Sequence, residues 1–274
     1  MLTVKAAMIG DIVGNHGIET LETKLPELIK EHQIDFVSVN GENAAEGFGM
    51  TENDFKRIIA AGADVITSGN HIWEKREFWH VLETEKQILR PANYPSGAVP
   101  NPDVSGAGSA CINKKGINWI VINLQGRELM TAIDCPFKCF DQLITMHTGN
   151  ANGNPNPRAL PIVLVDFHAE SSREKESLAY YADGRAAVVA GTHTHIQTAD
   201  ERVLPKGSAY ITDLGMTGNV DSVIGMEPKI CIERARKQVL YHMEIAASDK
   251  PGKMQGIIAE IDTETGRAVS IKRI

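Results

Sequence analysis

Residues 35–70 read DFVSVNGENAAEGFGMTENDFKRIIAAGADVITSGN, and this stretch decides the fold class. The two apolar runs, DFVSVN and DVITSG, are short, rich in Val and Ile, and lack the strict alternation of a strand with one wet face. Between them, TENDFKRIIAAG has the spacing of an amphipathic helix. Strands of this kind joined by a helix are parallel strands covered on both faces. Thr51 with Asp54 reads as a capping box that starts the helix, and Gly62 is placed to end it.

The pattern extends outward from there. Upstream, TVKAAMIG and IETLETKLPELIKEH supply one more strand and helix, giving a βαβαβ opening, and a third crossover begins near Trp73 and Glu74. Downstream, LPIVLVDFHAE, the helix SSREKESLAYYADG and AAVVAGTHTH repeat the α/β pattern. Residues from about 91 to 157 differ. They are rich in Pro, Gly, Asn and Ser and frame SACINKK and INWIVINLQG, which read as a hairpin turned at Lys115 and Gly116, either a small insertion or part of a second sheet. The tail from KQVLYHMEIAA to AVSIKRI reads as antiparallel strands joined by SDKPGK and TETG turns. A chain of 274 residues can bury its core as one α/β domain over 1–274, and that is the expectation.

Composition narrows the function. With 28 Lys plus Arg against 35 Asp plus Glu, the net charge is −7 and the pI about 5.7, which disfavours an extended nucleic-acid surface. The start has neither the length nor the cleavage pattern of a signal peptide, and no run approaches membrane-spanning length, so a soluble cytoplasmic protein is expected. Cys111, Cys135, Cys139 and Cys231 are too few and too scattered for a disulfide framework and read as reduced thiols. CPFKC lacks the second pair of a structural zinc site. Trp73, Trp79 and Trp119 read as packing residues, GENAAEGFG as a flexible loop at the active site, and SSREKE as a solvated helix start.

Chemistry gathers just beyond the strands, where open α/β sheets bind their ligands. The first strand runs into Gly10-Asp11, the second into Glu42 and Asn43, the third into Asn70 and His71. Two later strands run into His168 and into GTHTH, with His193 and His195. In an extended segment residues two apart share a side, so the last two imidazoles leave the strand together. Singly, each residue has a plainer reading: Asp11 as a helix cap, the asparagines as turn residues, the histidines as satisfied side chains or solvated strand ends. Jointly, five strand ends delivering metal-ligand atoms to one rim carry a desolvation cost that a pair of metal ions about 3.5–4 Å apart would offset.

The order GDIVG, NGEN, GNH, FH, GTHTH resembles the calcineurin-like metallophosphoesterases. More closely, GDIVG, NGENAAEGFGMT, GNHIWEK, RPANYP, VINLQGR, DFHAE, DGRAAVVAGTHTHIQTAD and LPKGSAYITDLGMTG resemble the YmdB-type bacterial metallophosphodiesterases, from the first strand to the last hairpin. The resemblance implies a four-layer α/β/β/α sandwich of two mixed sheets with metals at one rim. One metal would take Asp11, Glu42, Asn43 and His195, the second Glu42, Asn70, His168 and His193, with Glu42 bridging and His71 as proton donor. Val13 stands where the wider superfamily has the histidine of D-x-H, with Asn43 as its substitute, and Glu42 stands where the bridging residue is usually Asp. The implied cofactors are two transition-metal ions, iron or manganese. The implied substrate is a small phosphodiester, especially 2',3'-cyclic AMP, with water activated by the metals, Asn70 on the phosphoryl oxygens and His71 protonating the leaving alkoxide. No membrane partner is expected, and a homo-oligomer is compatible. Two other classes stay open: a non-catalytic regulator binding a nucleotide on the same scaffold, against which the retained His71 argues, and a dinuclear hydrolase acting on another bond such as an amide.

Overall fold

A computed structural model of the protein describes residues 2–95, 105–149 and 160–274. The first half runs β1 (Thr3–Ile9), β2 (Asp11–Ile12), α1 (Gly14–His32), β3 (Phe36–Asn40), α2 (Glu52–Ala60), β4 (Val65–Thr67) and, after a 3-10 turn, α3 (Trp79–Thr84). There follow β5 (Ser109–Lys114), β6 (Ile117–Gln125), α4 (Pro136–Thr148), β7 (Ile162–His168), α5 (Ser172–Ala182) and β8 (Val188–Thr192). The remainder is β9 (Arg202–Val203), β10 (Ala209–Ile211), β11 (Met216–Thr217), α6 (Pro228–Lys237), β12 (Gly256–Asp262) and β13 (Arg267–Arg273).

Two mixed sheets stack face to face. The five-stranded sheet has the order β13-β12-β1-β3-β4, and the six-stranded sheet β5-β6-β7-β8-β10-β9. The neighbours β1-β3-β4 and β6-β7-β8-β10 are parallel; antiparallel strands form both edges of the six-stranded sheet and the β12-β13 edge of the other, whose far edge is the parallel β4. Three separate cores follow from the period of two along each strand. Val37 and Val39 of β3 face α1 and α2 with Leu21, Leu25 and Ile58. Phe36 turns the other way, into the layer between the sheets, and stacks on Trp119 at 4.7 Å between centroids. On β7, Leu164 joins that middle layer, while Val163, Val165 and Phe167 pack under α4 and α5 with Phe140 and Leu178. Strands apolar on both faces, the feature that marks residues 35–70, are what a four-layer α/β/β/α sandwich requires.

Local signals held where they were specific. Thr51 accepts from the Asp54 N–H at 3.2 Å while Asp54 accepts from the Thr51 N–H at 3.0 Å, a complete capping box. The Lys115–Gly116 turn, with φ of 55° and 77°, joins β5 to β6 and places both in the six-stranded sheet, so the hairpin is part of the second sheet and no insertion. Two expectations are corrected. KQVLYHMEIAA forms no strand: α6 covers its approach, Gln238 caps that helix at φ 55°, and beyond it only Ile245 makes a bridge. The helix start SSREKE is solvated only in part: Ser172, Arg173 and Glu176 are exposed, but Glu174 and Lys175 are buried. The Pro- and Asn-rich runs expected as loops lie largely at 96–104 and 150–159, outside the described residues. Among the described residues no helix is long and apolar enough to cross a membrane.

Candidate metal centre

The parallel strands β1, β3, β4, β7 and β8 end on one rim, and all eight residues singled out in the sequence meet there. Nε2 of His168 lies 2.9 Å from Oε1 of Glu42, 3.0 Å from Nδ1 of His193 and 3.2 Å from Oδ1 of Asn70. Nε2 of His195 lies 3.7 Å from Oδ1 of Asp11 and 3.2 Å from the amide of Asn43. That amide also reaches Glu42 at 3.3 Å, so Glu42 stands between the two groups. His71 stays at the margin: its backbone N–H donates to Glu42 at 3.0 Å, while its ring meets the edge of Phe48 and its Nδ1 lies 3.4 Å from Glu74. Gly69 is required at this spacing, since a Cβ there would come within 2.4 Å of both His168 and Glu42. Val13 is buried and caps α1 from outside the cluster.

The outward ring nitrogens decide what the inward ones can do. Nδ1 of His168 faces the Thr192 hydroxyl at 3.0 Å, and that hydroxyl donates to Asp166 at 2.7 Å, so the free role for Thr192 toward the ring is acceptor. Nδ1 of His195 donates to the Ile224 carbonyl at 2.8 Å, and Nε2 of His193 faces the Glu170 carboxylate at 3.2 Å. With their outer N–H groups engaged, neutral rings turn lone pairs inward on His168, His193 and His195, as second-sphere acceptors arrange for metal-binding imidazoles. Two such lone pairs 3.0 Å apart beside a carboxylate repel one another unless a cation or proton sits among them. Glu42, His168 and His193 thus form a group able to hold a metal ion, their ligand atoms all lying within 4.8 Å of one another.

Without metal, a proton takes that place. Burial opposes a charge on His168, but the Glu42 carboxylate outweighs it and raises the imidazole to about 9. Burial likewise opposes ionised Glu42, and the His168 charge with its hydrogen bond holds it down at about 2. Burial lifts Asp11 to about 6 despite the pull of His195. His193, pushed down to about 3 by burial and by the neighbouring His168 charge, stays neutral.

The layer beneath was not legible in the sequence. Asp166 accepts from Thr67 and Asn40 of the five-stranded sheet and from Thr192 of its own, tying the two sheets together under His168. Burial raises the Asp166 carboxyl, against those hydrogen bonds. Glu170, two residues past His168, and Thr192, inside GTHTH, were within reach of a reading that asked what orients each ring. Asp166 reads in sequence as one polar break in an apolar run, and nothing marked its partners.

The stacked mixed sheets, flanking helices and ligand-rich rim are the architecture of the metallophosphoesterases. The chain matches the YmdB-like protein family model over residues 7–274 and belongs to that family. It is 39% identical over 271 residues to the 2',3'-cyclic-nucleotide 2'-phosphodiesterase of Bacillus subtilis strain 168, covering 99% of this chain and 96% of that protein. Among solved structures it is similar to a novel phosphatase from Mycoplasma pneumoniae, with a TM-score of 0.87, 30% identity, and coverage of 100% of this chain and 93% of that one. It is also similar to a hypothetical protein from Thermus thermophilus, with a TM-score of 0.84, 34% identity, and coverage of 99% and 98%.

Proposed function

We propose that this protein is a phosphodiesterase dependent on two metal ions that hydrolyses cyclic nucleotides, with 2',3'-cyclic AMP as the leading substrate and manganese or iron as the metal. The observation that carries the reading is the meeting of the inward lone pairs of His168 and His193 with the Glu42 carboxylate, beside a second donor set of Asp11, Asn43 and His195. The family relationship and the activity named for the Bacillus relative supply the reaction class. The chain is accordingly a hydrolase of phosphoric diesters.

The donor chemistry fits two ions: imidazole and carboxylate ligands suit manganese and iron. Glu42 would be shared, Asp11, Asn43 and His195 completing one site and Asn70, His168 and His193 the other. Bound, the two ions would supply Lewis-acid polarisation of the phosphoryl group and water activated near neutral pH. Asn70, anchored beside His168, orients a phosphoryl oxygen through its side-chain amide. His71, partly exposed at the margin with Nδ1 toward Glu74, is the group placed to protonate the departing ribose oxygen. The net charge of −7 argues for a free nucleotide over a nucleic-acid backbone.

The test is elemental analysis of protein purified anaerobically without chelator, followed by turnover of 2',3'-cyclic AMP, a bis-aryl phosphate and the matching monoester. Two ions per chain with diester turnover is the expected result. One ion or none, under replete metal, would remove the dinuclear assignment, and faster turnover of the monoester would move the reading to a phosphatase.

A further inference from the structure

Beneath the segment that carries both rim histidines lies a buried ion pair to which the reading above gives no role. Nζ of Lys175, on α5, sits 2.7 Å from Oδ2 of Asp213, just past β10, and both side chains are closed off from solvent. The same Oδ2 accepts from the backbone N–H of Thr194 at 3.1 Å. Oδ1 accepts from the Gly215 N–H at 2.9 Å, and the Asp213 N–H donates to the Thr198 hydroxyl at 2.9 Å. Every oxygen of this carboxylate is therefore committed, and one of its bonds lands on the residue between His193 and His195.

That residue is where an anchor is needed. His193 has φ 104° and His195 φ 64°, in the left-handed region that residues with a side chain seldom enter. Such conformations persist only when the surroundings over-determine them. Without them, the two imidazoles would leave the strand along different lines and lose their positions against His168 and Asp11. Lys175 reaches Asp213 across Gly191, where a Cβ would stand 1.8 Å from the Thr212 carbonyl oxygen and 2.8 Å from Lys175 Cδ, so the glycine that opens GTHTH admits both the neighbouring backbone and this lysine. Stability alone does not account for the pair, because buried ion pairs are often replaced by apolar residues at little loss.

We propose that Lys175 and Asp213 are positioning residues for the metal centre, holding the Thr194 amide so that the strained backbone on either side aims His193 and His195 at the ions. The inference rests on the reading of those two histidines as metal ligands. Two doubly substituted proteins separate positioning from packing, neither with a buried charge: Lys175→Met with Asp213→Leu, which has no acceptor for Thr194, and Lys175→Met with Asp213→Asn, which keeps one. Manganese titration of metal-free protein, thermal melting, and kcat and KM on a diester are measured for each. The leucine pair is expected to melt within a few degrees of wild type yet bind manganese about 10–100-fold more weakly, the usual loss when a group orienting a ligand is removed. The asparagine pair is expected to recover most of that affinity, and the loss to fall on kcat at limiting manganese with KM little changed. Equal manganese affinity in the leucine pair, the asparagine pair and wild type overturns the inference while leaving the metal centre standing. No manganese uptake by wild type overturns both. Should the leucine pair not fold, amide hydrogen exchange on metal-free wild type decides: protection of the Thr194 N–H comparable to the amides of β8 supports the anchor, and exchange at open-loop rates overturns it.

Discussion

The two halves of the rim are built differently. In the half formed by Glu42, Asn70, His168 and His193, Nε2 of His168 lies 2.9–3.2 Å from the ligand atoms of the other three, and His168 is backed by the buried relay of Thr192 and Asp166, which reaches Asn40 and Thr67 of the other sheet. Around Asp11, Asn43 and His195 the separations widen to 3.2–3.7 Å, and the outward nitrogen of His195 rests on the carbonyl of Ile224, in an irregular segment with an exposed side chain. His168 is held at the end of β7 by a buried polar network, whereas His195 leans on a loop. In the first, the protein has fixed its donors before any ion arrives. In the second, the ion would have to finish the geometry.

Removing the fixed half should do the most damage. His168→Ala takes away a ligand and the group that balances Glu42, leaving a fully buried carboxylate without its cation. We expect diester turnover to fall by more than the roughly 10²–10⁴-fold typical of losing a general acid, with elemental analysis showing fewer than two ions per chain. Retention of both ions would break the contrast between the halves. His71→Ala comes next. It should lower turnover by about 10²–10⁴-fold on an alkoxide leaving group, leave metal content at the wild-type level, and matter far less for a nitrophenyl ester, whose leaving group hardly needs the proton. Loss of both ions in this variant would make His71 a ligand.

A third effect separates the halves by pH. In metal-free protein His168 holds a proton up to about 9 because of Glu42, and that proton occupies the lone pair an ion would use. Raising the pH removes it, so manganese affinity of the Glu42–His168–His193 half should climb about tenfold per pH unit from 7 toward 9, as expected when ligand and proton compete. Asp11, raised by burial to about 6, is already mostly ionised at pH 7, so the other half should gain little over the same range. Calorimetric titration of His195→Ala, which keeps the first half, and of His193→Ala, which keeps the second, would resolve the two slopes. Equal slopes would end the assignment of the proton to His168.

This contrast also explains what the sequence could disclose. The rim residues were legible because each follows an apolar run directly, so position along the chain reports position in space: Asp11, Glu42, Asn70, His168 and His193 all lie at or just past the end of a strand. The sandwich was legible in runs such as VVAGT and IVLVD, whose two apolar faces demand two covers. The supports were not legible, because they depend on encounters between sheets. Asn40 and Asp166 lie 126 residues apart, and Lys175 and Asp213 lie 38 apart, with no local pattern joining either pair. Lys175 was misread for the same reason: in SSREKE its charge speaks for solvent, and only the fold brings Asp213 over it. The segment 238–247 failed the other way, since its apolar residues suggest a strand but the fold offers it no neighbouring strand to pair with.

The smallest effect tests whether the proton donor is supported as the metal-binding histidines are. His168 and His193 each have an acceptor on the outward nitrogen, and for His71 the corresponding group is Glu74 at 3.4 Å. For His168 the surroundings differ: Thr192 and Asp166 are buried, whereas the Glu74 side chain is 53% exposed, as Glu170 behind His193 is at 46%, and water competes for both of those hydrogen bonds. An exposed pair of this kind is worth about 0–1 kcal/mol, which corresponds to at most about fivefold in rate. Glu74→Gln should therefore lower kcat on a cyclic nucleotide by less than about fivefold and leave metal content untouched. Thr192→Val, which removes the acceptor behind His168, should weaken manganese binding by about 10–100-fold. If the two substitutions had equal effects on turnover at limiting manganese, burial would not be what separates the support of His168 from that of His71. Glu74 would then have to act on His71 through more than a solvent-exposed hydrogen bond, for instance by closing over the ring when substrate is bound.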